Sequence, residues 1–550
     1  MRNAVFILAL LVGLAVLVGP LLPPPEVPAP ATPASRSATT EAVAPSPGED
    51  DFRAAVARVD AAFRAEWSAA GLRPAEPAPP ETVLRRLHLA MVGTVPSLAE
   101  IRDFEADARP TPDRIADRVW RLLADRRFHD NLAERLARAY VGTENGPFIL
   151  FRRRRFVSWL SDQVRENTAY DHLVRTMIAS DGVWTDNPAV NFLTVAIEAD
   201  TDKNPDPEKL AARVSRTFLG VRMDCARCHD HPFAQWKQDD FHGIAAFFGR
   251  TKRAGLPGIL DAATGDYQRD DGKGGRVKVA PAVPYAADLL PPEGHGRLRS
   301  RLAEWVTHRG NRAFARAAAN RVWAVMFGRP LVEPIDDIPT DPSAKVPAAL
   351  DVLADDFSGH GFDLHRLVRL IAACGVFRLD SRADFEMTAA HEAKWAVFPE
   401  TRLRPDQVAA GIIQASSPTT IDAESHVVRK LIRAFQAGDF VKRYGDLGEH
   451  EFDPRGTTIP QQLLLMNGDV VAERTADQII NAPFQIARLA PDDAKAVEAA
   501  YLAVLTRRPT AEESAHFAAR LHGSKGAERG RRVADLFWTL INSTEFSWNH

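Results

Sequence analysis

Residues 223–232 read Met-Asp-Cys-Ala-Arg-Cys-His-Asp-His-Pro and carry the densest chemistry in the chain. Cys225-x-x-Cys228-His229 has the spacing of a c-type haem attachment sequence. Two thiols one turn apart add to the two vinyl groups of a haem, and the adjacent histidine reaches the iron as proximal ligand. Other chemistries compete for the same residues. A zinc or iron site could use Cys225, Cys228 and one of His229 or His231. Four ligands within seven residues wrap a tetrahedron poorly, so such a site would want a partner from elsewhere, such as His242. In an oxidising compartment Cys225 and Cys228 could pair as a disulfide, structural or redox-active. The plain alternative is a packed turn with no cofactor.

A distal ligand is not assigned by the sequence. His231 is too close to His229 to swing to the opposite face, which leaves Met177, Met466, His242 or an open position. The segment after the motif carries Phe233, Trp236, Phe241, Phe247 and Phe248. These could wall a haem, although an aromatic stripe is more often ordinary core.

The elements that must position this motif are helical. Phe52, Val56, Val59, Phe63 and Trp67 share one helix face. Ser97-x-x-Glu100 is a capping box that opens a helix with Leu98, Ile101 and Phe104. Thr111-Pro112 reads as an N-cap and first-turn proline. Similar patterns run through 156–178 and 210–219, so residues 51–250 form a helical domain. Residues 251–297 are richer in Gly and Pro and read as an irregular connection, with Arg276–Val279 the best strand. Helical periodicity returns at Leu298, with clear amphipathic helices at 363–373 and 533–541, so residues 298–550 form a second domain. The fold class expected is mainly α: two helical domains joined by an irregular connection with at most a short hairpin.

The N-terminus adds a location. Residues 1–22 hold an apolar run after Arg2 and read as a signal or uncleaved membrane anchor. Residues 23–50 are rich in Pro and Ala and read as a disordered tether. The chain is therefore expected to be exported, in the periplasm or cell envelope. Of 550 residues 45% are hydrophobic and 26% charged, ordinary for a globular protein. With 69 basic and 72 acidic residues, the net charge of -3 offers no general attraction to nucleic acid. Three cysteines exclude a disulfide-rich scaffold, and Cys374 reads as a small buried residue.

The stretch from Phe218 to Phe248, together with Leu84-Arg-Arg-Leu-His-Leu and Gly93-Thr-Val-Pro, resembles a planctomycete secreted, cytochrome-C-associated domain of unknown function. Asn320-Arg-Val-Trp323, residues 327–337, residues 362–371 and the terminal 538–546 resemble the C-terminal domain that follows it in that family. The resemblance covers about 80–550 and implies an exported protein, often accompanied by a secreted sulfatase-like partner. The chain departs from the family in its short connection and in the Ala-Ala-Cys-Gly-Val-Phe after Ile371. The family's cytochrome name rests on the Cys-x-x-Cys-His motif and is no independent support for haem.

Other motifs fall short. His391-Glu392 and His450-Glu451 lack the second histidine of a zinc protease, since Trp395 and Pro454 stand where it is needed. The loop Asp200, Asp202, Asn204, Asp206 has Pro205 where a calcium loop needs Gly. Arg152–Arg155 reads as a solvated basic face, Asn320, Arg321 and Trp323 as an interhelical knot, and Asp336-Asp337 as a loop cap. No catalytic pair marks the chain as an enzyme. The function expected is a redox protein with one c-type haem and a redox partner. The alternative is a non-catalytic surface scaffold or binding protein with a Cys/His metal site or disulfide.

Overall fold

A computed structural model describes residues 47–144, 153–198, 203–254, 258–270, 274–340, 346–422, 424–425, 427–453, 456 and 458–550. The expected signal or anchor therefore lies outside the described residues. So does the expected tether apart from 47–50, which are already helical rather than extended. Among the described residues, no helix is long and apolar enough to cross a membrane.

The architecture is mainly helical, with small antiparallel sheets. The first described helix runs Pro47–Ala70 and buries Phe52, Val59, Phe63 and Trp67, with Val56 half-buried. Helix Leu98–Ala106 starts as its capping box requires. Ser97 Oγ accepts from Glu100 N–H at 3.2 Å, and Ser97 N–H donates to Glu100 Oε2 at 2.8 Å. Helix Thr111–Leu123 has Pro110 at the cap, one residue earlier than expected, so Thr111 is already in the first turn. The pattern through 156–178 is two helices, Arg153–Arg165 and Tyr170–Ala179. The chain breaks at Asn167, whose φ of 49° leaves the helical region.

The connection holds more strand than one hairpin. Thr251–Ala254 and Gly258–Asp261 pair antiparallel, and Gly182–Val183 adds a third strand. Arg276–Val279 is the strand its composition predicts, paired with Tyr267–Asp270. Among the described residues of 251–297 the one helical element is the 3₁₀ turn Ala287–Leu289, as expected where Gly and Pro favour turns.

The described residues of 51–550 form one compact unit. One core joins side chains from Phe52 to Leu502, across both halves of the sequence. A second core gathers Leu403–Phe546 around Leu89 and Val95 of the N-terminal half. The connecting bolts are two fully buried arginines of helix Pro80–Val92. Arg85 donates to the carbonyls of Val504 (3.0 Å) and Phe546 (3.2 Å). Arg86 donates to those of His550 (2.8 Å), Phe377 (3.1 Å) and Leu379 (2.6 Å). Its guanidinium also lies 3.5 Å from the Phe398 ring centroid. Burial pushes the Arg85 and Arg86 guanidiniums down, to about 10 and about 9. Both nevertheless stay charged at neutral pH.

Candidate functional site

The Cys motif follows helix Pro207–Leu219. Asp206 caps that helix by accepting from the N–H groups of Glu208 (2.9 Å) and Lys209 (3.3 Å), with Pro207 at the first position. Gly220 ends it in the left-handed region, φ 62°. A Cβ there would lie 3.0 Å from the Ile338 side chain, and the Gly220 carbonyl accepts from Ile338 N–H at 2.7 Å. Residues Asp224–Arg227 then make a single 3₁₀ turn.

That turn decides which side chains face outward. With three residues per turn, positions three apart share a side. Met223 (1% exposed) and Ala226 (0%) point into the core. Cys225 and Cys228, also three apart, are both exposed free thiols. Cys228 N–H donates weakly to the Cys225 carbonyl at 3.4 Å.

The histidines of the segment separate into different roles. His229 is exposed, and its Nδ1 lies 2.7 Å from the Asp230 carbonyl. A carbonyl only accepts, so Nδ1 carries a proton, and in the neutral ring Nε2 then keeps its lone pair, the state a metal ligand needs. His231 is a loop cap: its Nδ1 accepts from the N–H groups of Phe233 (3.2 Å) and Ala234 (2.9 Å). His242, on helix Gln238–Ala246, is buried. Its Nε2 donates to the Arg227 carbonyl at 3.0 Å and its Nδ1 meets the Tyr267 hydroxyl at 2.7 Å. Tyr267 in turn donates to Glu208 at 2.9 Å. Burial lowers the His242 pKa, which favours the neutral ring. His242 thus pins the 3₁₀ turn from below, with neither nitrogen left for iron or zinc.

Among the described residues, Cys225, Cys228 and His231 do not form a cluster of converging ligand atoms. The group that does converge, Asp51, Asp356 and His360, is already bridged by Arg366 at 2.7 Å and 2.9 Å. Of the distal candidates, Met177 is fully buried in the core and Met466 is exposed on helix Ile459–Asn467. Of the aromatic stripe, Trp236, Phe241, Phe247 and Phe248 are core, whereas the Phe233 ring is 95% exposed beside the motif.

The donor chemistry therefore fits a c-type haem: two open thiols and an imidazole with its Nε2 free. The surroundings are less apolar than a typical haem wall. Cys228 lines a cavity of about 370 Å³ that also contains Arg213, Arg216, Arg227 and Arg321. Arg216 is paired with Asp224 at 2.7 Å, and Asp336, one of the expected loop caps, with Arg222 at 2.7 Å. Sequence reasoning missed this cavity. Its one legible trace was Arg321, beside Asn320 in a largely apolar helical run, which reads as part of a knot. Asn320 ties its helix to the loop that follows rather than to another helix, exchanging two hydrogen bonds with Val332 at 2.9 Å and 3.0 Å, and Trp323 stacks on Phe327 of its own helix and on Phe63 of helix Pro47–Ala70. Arg321 instead faces the cavity.

The motifs set aside have local tasks. His391 Nδ1 accepts from Thr388 N–H at 3.1 Å, and His450 pairs with Asp453 at 3.1 Å. Glu451 is buried against Arg135. Cys374 is fully buried, and burial pushes its thiol pKa well up. In the basic run, Arg153 is tied to Glu134 at 2.9 Å and the Gly142 carbonyl at 2.8 Å. The calcium-like loop lies partly outside the described residues.

A family model described as PSCyt2, protein of unknown function (DUF1549), matches residues 58–253, which span the Cys motif. A second, PSD1, protein of unknown function (DUF1553), matches residues 298–436. A mainly helical protein carrying both domains is consistent with the planctomycete cytochrome-associated family. The two matches flank the connection, and neither extends over residues 254–297. No curated protein and no solved structure matches the chain.

Proposed function

We propose that this is an exported redox protein that holds one c-type haem for electron transfer, with Cys225 and Cys228 as attachment thiols and His229 as axial ligand. The observation that carries the reading is the 3₁₀ turn. It presents both thiols to solvent while the His229 ring is oriented through Nδ1, leaving Nε2 open. A haem held there would supply one-electron redox chemistry. The protein's part is to keep the turn rigid. Met223 and Ala226 anchor it in the core, and His242 ties the Arg227 carbonyl between the two thiols. The partner in this reading is a redox protein or a secreted sulfatase-like protein of the same envelope, and the N-terminal segment tethers the chain at the membrane.

The test is a pyridine haemochrome spectrum with iron analysis, on chain expressed in a host that matures c-type cytochromes. The expected result is covalent haem at one iron per chain, lost in Cys228→Ser. Iron-free protein from that host overturns the reading.

A second reading is a non-catalytic binding protein of the cell surface, with the cysteines as a structural metal site or disulfide. The charged lining of the cavity beside Cys228 favours it, because a porphyrin face prefers apolar walls. It predicts that Cys225→Ser lowers the melting temperature and changes no redox signal.

A further inference from the structure

Two guanidiniums in the cavity beside Cys228 are left unanswered by the fold. Arg213 comes from helix Pro207–Leu219 and Arg321 from helix Arg312–Phe327, and both line the same space of about 370 Å³. Arg321 is 9% exposed, and its Nε has no hydrogen-bond partner. Arg213 Nη1 is likewise buried and unpartnered. Among the described residues neither side chain makes a hydrogen bond or an ion pair.

The other charges around the cavity are largely occupied with one another. Asp224 pairs with Arg216 at 2.7 Å, Asp336 with Arg222 at 2.7 Å and Glu208 with Arg227 at 3.4 Å. Glu449 is the remaining lining carboxylate, and it acts on Arg213 from beyond ion-pair distance. Positive charge is therefore in excess where two helices converge. A buried cation without a counter-charge is costly, and a guanidinium fork is shaped to grip two oxygens at once.

We propose that this cavity binds an oxyanion, a ligand presenting two or more negatively charged oxygens, held by Arg213 and Arg321. The inference goes beyond the redox reading and stands whether or not haem is attached. The oxygens have two sources: a free anion such as phosphate, sulfate or a dicarboxylate, or the propionate carboxylates of a porphyrin attached at Cys228.

The haem-free full chain is titrated in turn with inorganic phosphate, sulfate and succinate, read by calorimetry and by thermal unfolding. At least one is expected to bind and to raise the melting temperature. Arg213→Met and Arg321→Met should each weaken that binding by about tenfold or more. Without anion, Arg321→Met should melt no lower than wild type, since it removes an uncompensated buried charge. A purely structural arginine would show the reverse. Repeating the titration on haem-loaded chain separates the sources. Binding lost on loading assigns the cavity to the porphyrin carboxylates, and binding retained assigns it to a free anion. The proposal is overturned if none of the three anions binds the haem-free chain, if both variants bind as wild type does, or if both melt lower without anion.

Discussion

Arg86 and Arg321 are both arginines buried on helices, and the fold treats them in opposite ways. Arg86 donates to three carbonyls, two of them at the end of the short helix Gly375–Arg378 and one at His550. Arg321 meets none among the described residues and looks into a cavity. The first arrangement converts a costly buried charge into a clamp between distant parts of the chain. The second leaves the same cost standing, which makes sense where something else supplies the negative charge. Burial alone therefore does not tell a structural arginine from a binding one. The count of satisfied donors does.

The sharpest way to break this comparison is to remove the clamp. Arg86→Met leaves three carbonyls without their donor and should cost several kcal/mol, about 1–3 kcal/mol for each buried acceptor left unsatisfied. Chemical denaturation measures it, and a variant as stable as wild type would show that Arg86 clamps nothing. The sign should be opposite to that of Arg321→Met in anion-free protein.

The same clamp should be acid-sensitive through His550. Burial, helped by the charges of Arg85 and Arg86, pushes the His550 pKa down to about 4 from 6.5, with Glu545 opposing. The unfolded chain binds this proton more readily than the folded one, so stability from the neutral ring is present above pH 6.5 and is lost as pH falls toward 4. The loss amounts to a few kcal/mol at most. Melting temperatures of wild type and His550→Gln between pH 7 and pH 4 should converge if this holds. Parallel curves would show that His550 does not report on the clamp.

A smaller effect probes the contact between the halves at Ser97. Its hydroxyl caps helix Leu98–Ala106 and also lies 2.7 Å from Thr420 Oγ1. Ser97→Ala should cost about 1 kcal/mol in an unfolding titration. The smallest effect belongs to the motif loop. Phe233→Ala removes a ring with almost no contacts and should change stability by less than about 0.5 kcal/mol. A larger drop would mean that the loop around His231 is part of the packed frame.

Much of the frame was legible from local pattern. The face from Phe52 to Trp67, the capping box at Ser97 and the strand Arg276–Val279 each depend on neighbours in sequence, so their signals are local. What local pattern missed was long-range. Periodicity marks where 51–250 and 298–550 turn helical, but it carries no sign that Arg85 and Arg86 reach Val504, Phe546 and His550. The break at Asn167 also escaped it, because both flanking helices continue the same apolar spacing. At the candidate site the spacing singled out Cys225, Cys228 and His229. It could not separate the histidines, since a capping role and a ligand role look alike until the backbone N–H groups around His231 are placed.

The sequence by itself determined the helical class, the position of the Cys motif and the chemistry its donors can do, because helix period, capping and residue type are properties of short segments. The tertiary structure decided the rest. It placed both thiols outward on a 3₁₀ turn, engaged His242 beneath them, and merged the two halves into one packed unit. It also brought Arg213 and Arg321, 108 positions apart, to one cavity where neither makes an ion pair among the described residues. Such convergence depends on how helices pack, and no segment of the chain encodes it alone.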